Sequence, residues 1–183
     1  MLILASASPR RHELLSAAGI DHIVRPVSVS ETPREGESSV TVVQRLAREK
    51  AEAARRTEEE MVLGADTLVC VDGQHFGKPT DVDDAQRMLR SLSGREHWVV
   101  TGICLLRGAE VIVDVSSTAV SFASLTEEEI TDYIRSGEPF DKAGAYAIQG
   151  LASKFIVSLQ GSYQNVVGLP VALVYQHLRS MTP

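Results

Sequence analysis

The segment Ser6-Ala7-Ser8-Pro9-Arg10-Arg11 joins a short apolar run to the start of a helix. A helix N-terminus offers backbone N–H groups without intrahelical acceptors and the positive end of the dipole, which suits an anion. Arg10 and Arg11 in the first turn add planar bidentate donors of the kind that phosphate takes. Successive helical residues diverge by about 100°, so both guanidiniums need not reach one ligand. A solvated helix start with one arginine on Glu13 is the ordinary alternative.

Asp66 is the second chemically loaded residue, set in Gly64-Ala65-Asp66-Thr67 between Val62-Leu63 and Leu68-Val69-Cys70-Val71. An acid inside an apolar strand run is costly unless it is paired or metal-bound. It suits a general base or a hard-metal ligand, with small neighbours leaving room for a ligand. An aspartate bonded to backbone amides is the structural alternative. Lysines are scarce: Lys50, Lys78, Lys142 and Lys154 stand among 18 basic side chains. Gly77-Lys78-Pro79 fixes one on a tight turn. Lys50 lies on a helical face, where solvation is the commoner fate, and Lys142 sits in Phe140-Asp141-Lys142-Ala143-Gly144-Ala145-Tyr146.

Other charged runs have plainer explanations. Asp81-Val82-Asp83-Asp84 and Glu127-Glu128-Glu129 are acids favoured at helix N-termini, and Glu58-Glu59-Glu60 reads as a solvated helix end. The histidines at 12, 22, 75, 97 and 177 lack zinc spacing. No nucleophile elbow, Walker A loop or dinucleotide fingerprint occurs.

The positioning elements follow from pattern. Leu2–Ala5 reads as a buried strand, and Ser8-Pro9 opens a helix that Gly19 stops. Residues 23–29 alternate as a strand and 31–39 form a polar loop. Val40–Arg56 is helical, and 61–71 is a strand region interrupted at 64–67. Asp72-Gly73 marks a hairpin. Thr80 caps a helix from Asp81 to Leu92, and strands over 97–106 and 111–122 flank Arg107-Gly108-Ala109. Thr126 and Glu129 form a capping box. Short strands at 155–159 and 165–167 precede a helix opened by Pro170. This order predicts an α/β fold with a mixed sheet, in one domain over 1–183.

Composition narrows the function. The 183 residues are 44% hydrophobic and 23% charged, with a net charge of −6. That balance argues against duplex binding, which requires a basic face, but not against a small anionic ligand in a locally basic site. No run is long enough for a membrane span. The N-terminal apolar run is too short for a signal h-region. Cys70 and Cys104 read as reduced, buried thiols of a cytosolic protein.

Seven segments in order resemble the Maf family of nucleoside triphosphate pyrophosphatases. They are Leu-Ala-Ser-Ala-Ser-Pro-Arg-Arg-His-Glu-Leu-Leu (4–15), Leu-Ala-Arg-Glu-Lys-Ala (46–51), Leu-Gly-Ala-Asp-Thr-Leu-Val (63–69) and Gly-Lys-Pro (77–79). Met-Leu-Arg-Ser-Leu-Ser-Gly (88–94), Asp-Lys-Ala-Gly-Ala-Tyr-Ala-Ile-Gln-Gly (141–150) and Gly-Ser-Tyr-Gln-Asn-Val-Val-Gly-Leu-Pro (161–170) follow. The resemblance implies a mixed, largely antiparallel sheet flanked by helices, Maf/ITPase-like, with two lobes around a nucleotide cleft. It further implies a cytoplasmic homodimer that uses Mg²⁺ or Mn²⁺ to cleave a nucleoside triphosphate into monophosphate and pyrophosphate, removing unwanted nucleotides.

By motif position, Asp66 is similar to the family's catalytic acid, and Arg10, Thr67 and Gln149 to positions of substrate choice. Ser6, Ser8, Arg10, Arg11, Lys50 and Lys78 match phosphate-side positions. Glu31, on its polar loop, resembles an acid on the metal side, with Asp66, or on the water side. Lys142-Ala143-Gly144-Ala145-Tyr146 with Ile148-Gln149-Gly150 looks like the dTTP/UTP branch, with Ala147 a small departure where Gly is common. Gln149 offers a donor and an acceptor to a pyrimidine edge, whereas the glutamate of the methylguanosine-triphosphate branch only accepts when ionised. A 7-methyl-GTP pyrophosphatase and a non-hydrolysing nucleotide-binding regulator of cell division are the alternatives.

Overall fold

The computed structural model describes residues 1–181, folded around a seven-stranded mixed sheet flanked by helices. The strands are β1 (Leu2–Ala5), β2 (His22–Val24), β3 (Met61–Val71), β4 (Gln74–Phe76), β5 (Glu96–Arg107), β6 (Glu110–Phe122) and β7 (Ile156–Gln160). The helices are α1 (Pro9–Ala17), α2 (Ser39–Ala54), α3 (Val82–Leu92), α4 (Glu127–Arg135), α5 (Tyr163–Val167) and α6 (Val171–Met181). The sheet order is β2-β1-β3-β5-β6-β7, with β4 paired to β3. β1 runs parallel to both β2 and β3, aligning Leu4 with Val24 and Leu63. β3–β4 and β6–β7 are antiparallel.

The chain divides into two compact units. Among the described residues, the first comprises 1–66, 101–116 and 168–181, and the second 67–100 and 117–167. In the first unit β1 and β3 are covered on both faces, which is why their sequences are continuously apolar. Leu4, Leu63 and Ile103 pack with Leu15 of α1 and Val174 of α6. Ile3, Val62 and Cys104 on the other face meet Ala47 and Ala51 of α2. α2 lies very close to the sheet because two glycines admit it. A Cβ on Gly64 would stand 2.0 Å from the Ala47 carbonyl oxygen, and one on Gly102 2.4 Å from Val43. The second unit packs α3 and α4 over an aromatic core that includes Phe76, Phe122, Tyr133, Tyr146 and Phe155.

Several local expectations hold. Asp72 and Gly73 take positive φ at the β3–β4 turn, Gly94 follows α3 with φ 67, and Thr126 and Glu129 form the expected capping box. Others are corrected. β3 is uninterrupted, since Gly64 serves helix packing rather than a break in the strand. The space that Gly64 was expected to leave for a ligand is likewise taken by α2. β2 ends at Val24, just before Pro26, which has no N–H for a ladder. Asp81, not Thr80, caps α3, its carboxylate accepting from the Asp84 N–H at 2.8 Å. Residues 165–167 are helical: Ser162 Oγ accepts from the Asn165 N–H, a cap that outweighs the strand preference of two valines. Cys104 is buried as expected, whereas Cys70 is only half-buried. No helix among the described residues is long and apolar enough to cross a membrane.

Candidate active site

In the first unit, three chain segments converge on buried charge. Asp66 lies on the α2-facing side of β3, two residues beyond Gly64. The close helix–strand approach at Gly64 brings Lys50 of α2 against it. Lys50 Nζ donates to Asp66 Oδ1 at 2.6 Å and to Glu31 Oε1 at 2.6 Å. The Lys50 and Asp66 side chains are only 10% and 9% exposed, whereas that of Glu31 is 57% exposed. Neither ordinary alternative holds: Lys50 is not solvated, and Asp66 is held by a cation. Burial drives the Asp66 carboxyl above the usual aspartate range, with Lys50 and Arg11 pulling it back down and Glu31 adding to the rise.

The turn from β1 into α1 lies beside this trio. Ser8 is the N-cap residue and Pro9 the first helical position, but the Ser8 side chain makes no cap hydrogen bond. Its N–H instead donates to Ser6 Oγ at 3.2 Å. Arg11 turns inward: Nε donates to Gly168 O at 2.8 Å, and Nη1 to Ala65 O at 2.8 Å and Ser6 Oγ at 3.1 Å. Arg11 thus ties the chain segments on either side of it to the residue preceding Asp66. Burial lowers its proton affinity, opposed by Asp66. Arg10, one residue earlier, stays half-buried.

Glu31 owes its place to a loop pinned onto α2. Arg45 Nε and Nη2 form a fork on the Glu37 carboxylate at 2.6 and 2.7 Å, and Nη2 also donates to Thr32 O at 3.3 Å. The Arg34 N–H adds a third donor to Glu37, and together they hold its pKa down to about 2. Sequence reasoning missed this pin. Glu37 lies outside the helix, so no helical spacing links it to Arg45.

The remaining candidates stand in the second unit. Thr67 is half-buried on β3, while Lys78 and Gln149 are exposed. The Gly77-Lys78-Pro79 turn is tied to the glycine-rich stretch by the Gly144 N–H donating to Gly77 O at 3.0 Å. Gln149 sits in the turn that the Gly150 N–H closes onto Ala147 O at 3.1 Å. The structure therefore groups Ser6, Ser8, Arg11, Glu31, Lys50 and Asp66 in one unit and carries Thr67, Lys78 and Gln149 on the other.

The fold is shared with solved structures. The Staphylococcus aureus Ham1 protein superposes with a TM-score of 0.56 at 16% identity, over 98% of both chains. A HAM1 protein from Coxiella burnetii gives 0.54 at 15%, also over 98% of both. At such identities the likeness defines a Ham1-type α/β fold. Sequence goes further: the profile of the Maf-like protein family matches residues 1–181, and the chain belongs to that family. It is 50% identical to a dTTP/UTP pyrophosphatase of Koribacter versatilis, over 97% of this chain and 93% of that protein. It is 52% identical to one of Citrifermentans bemidjiense, over 97% and 94%.

Proposed function

We propose that this protein hydrolyses dTTP and UTP to the nucleoside monophosphate and pyrophosphate by attack of water on the α-phosphorus. The observation that carries the reading is the buried Asp66–Lys50 pair, joined by the exposed Glu31, beside the anion-suited start of α1. The named activity of relatives at 50% and 52% identity supports the substrate class. Asp66 orients the water and takes its proton, and its burial makes it a stronger base than an exposed aspartate. The Pα–O bond to the leaving pyrophosphate breaks with its electron pair on that oxygen.

Ser6, Ser8 with the first-turn amides, Arg10, Lys50 and Lys78 are assigned to phosphate binding. Arg11 adds charge there with Nε and Nη1 held on the protein. Arg10, Thr67 and Gln149 are assigned to substrate choice, Gln149 pairing a donor and an acceptor with a pyrimidine edge.

Asp66 and Glu31 bring two hard oxygen donors around one positive charge, a donor set that fits Mg²⁺ or Mn²⁺ completed by phosphate oxygens. Such an ion, when bound, neutralises triphosphate charge and polarises water. Family membership is the ground for extending the proposal to a cytoplasmic homodimer that clears unwanted nucleotides; light scattering of the purified protein tests the dimer.

The test of function is a panel of dTTP, UTP, CTP, dGTP, GTP, ATP and 7-methyl-GTP with Mg²⁺ or Mn²⁺, products resolved by chromatography. Monophosphate and pyrophosphate from dTTP and UTP are expected. Turnover of 7-methyl-GTP alone would keep the chemistry and overturn the substrate. Binding without turnover would leave a regulator.

A further inference from the structure

Gln149 is held from behind by a residue outside the matched motifs. Glu138 follows α4, after Gly137 at φ 77, and opens a short 3₁₀ turn, Glu138–Asp141. Its carboxylate reaches the Gln149 turn from two sides. Oε2 accepts from the Leu151 N–H at 3.0 Å. Oε1 accepts from the Tyr133 hydroxyl at 2.8 Å, and that hydroxyl accepts from the Ala147 N–H at 3.2 Å. The two backbone amides that bracket Gln149 are therefore both anchored on one side chain.

The intervening residue fits the same arrangement. A Cβ on Gly150 would stand 2.1 Å from Glu138 Oε2 and 2.5 Å from Oε1, so the carboxylate lies across backbone that only glycine leaves open. Tyr133 is 3% exposed and edge-on to Phe155 at 5.7 Å, so its hydroxyl has little freedom. The Glu138 N–H donates to Ser136 Oγ, fixing the start of the turn. Gln149 itself is exposed, so nothing in its own burial orients it.

We propose that Glu138 is a positioning residue for substrate choice: through Leu151 directly and through Tyr133 to Ala147, it holds the turn that presents the Gln149 amide. The proposal rests on the reading that Gln149 meets the base. Glu138 touches no substrate in it. A rigid turn favours one hydrogen-bonding edge, and a loose one accommodates several, so the loss falls on discrimination rather than on phosphoryl transfer.

The experiment compares kcat and KM for dTTP, UTP and GTP in Glu138→Ala, Glu138→Gln, Tyr133→Phe, Gln149→Ala and Glu138→Ala/Gln149→Ala, each checked for folding by circular dichroism. Glu138→Ala should lower the dTTP-to-GTP ratio of kcat/KM about tenfold, the scale of one well-made hydrogen bond. Tyr133→Phe, which keeps the ring, should lower it less, because the Leu151 contact survives. Glu138→Gln should recover most of the ratio, since its carbonyl accepts from Leu151 and its amide donates to the Tyr133 oxygen. In the Gln149→Ala background, Glu138→Ala should change the ratio no further. A loss that persists there, or one equal for dTTP and GTP, would make Glu138 merely structural and overturn the proposal. An unchanged ratio in Glu138→Ala while Gln149→Ala loses it would overturn the proposal and spare the base reading. An unchanged ratio in Gln149→Ala would remove both.

Discussion

The two units bury polar groups in opposite ways. The first encloses charge: Arg11, Lys50 and Asp66 are each at most 9% exposed. The second encloses neutral groups, with His97, Thr118 and Asn165 at 0%. His97 Nε2 shares a hydrogen bond with the Tyr146 hydroxyl at 2.8 Å, amid edge-on contacts to Phe122 and Tyr146. Asn165 Nδ2 bridges Val99 O and Thr118 Oγ1. Ionised groups cost several kcal/mol to desolvate and seldom recover that in stability, whereas neutral hydrogen-bonded groups come close to breaking even. Buried charge in the first unit therefore calls for a functional explanation, and buried polarity in the second for a structural one.

Removing charge from the first unit should cost most. Asp66→Asn should reduce dTTP turnover by about 10²–10⁴-fold, the range for a general base, with little change in thermal stability, because burial works against the ionised carboxylate and Lys50 keeps Glu31 as a partner. Parental turnover in that variant would refute the base assignment. Lys50→Met leaves two carboxylates without their shared cation and should destabilise the protein by about 3–5 kcal/mol near pH 8. The Asp66 pKa is already raised by burial, and losing Lys50 raises it further. An acid whose folded pKa lies above its unfolded value loses stability as pH rises through that interval. The Lys50→Met penalty should therefore shrink towards pH 4, measured by urea unfolding in a chelator. Adding Asp66→Asn should restore most of the loss; independent effects would break the pairing.

The second unit should show the opposite pH response. Burial holds the His97 pKa down to about 4, against an ordinary 6.5. The folded state then resists a proton that the unfolded chain accepts, so this stability is complete above pH 6.5 and declines as pH falls towards 4. The full interval amounts to about 3 kcal/mol. Protonation would add an N–H at a ring whose Nδ1 has no hydrogen-bond partner among the described residues. His97→Gln should flatten the acid decline in unfolding midpoint. An equal decline in parent and variant would locate the sensitivity elsewhere.

What the sequence discloses follows the same division between local and distant causes. The Asp72-Gly73 turn, the Thr126–Glu129 box and the Ser8-Pro9 start depend on neighbours a few residues away, and were legible. Asp66 was legible as unusual for its apolar setting, whereas Lys50 on its helical face read as solvated and was singled out only by its match to the family's phosphate-side positions. Their pairing was not legible, because it follows from α2 lying on Gly64, a packing event with no local pattern. The Glu138–Tyr133 bracket stayed hidden because its target amides belong to residues 147 and 151, which carry no side-chain signal. A purely local reading favours a strand at 165–167, because the two valines outweigh the Ser162 cap that makes this segment helical.

The smallest expected effect tests how the first unit places its exposed carboxylate. Arg45 holds Glu37 and the Thr32 carbonyl, one residue from Glu31. Arg45→Met should lower kcat/KM for dTTP by about three- to tenfold, because Glu31 must then be ordered at the time of binding. Arg45→Lys should do nearly as badly, since a point charge cannot reproduce the fork. With the Glu37 pKa near 2, the pin stays ionised throughout the neutral range, and the defect should not vary between pH 6 and 9. Arg48→Met is the control: it breaks an exposed pair with Glu52 on the same helix, its side chains 55% and 46% exposed, and such pairs contribute little. If the two methionine variants lose activity equally, the loop is not held by Arg45, and the burial of charge in this unit stops at Asp66 and Lys50 rather than extending to the placement of Glu31.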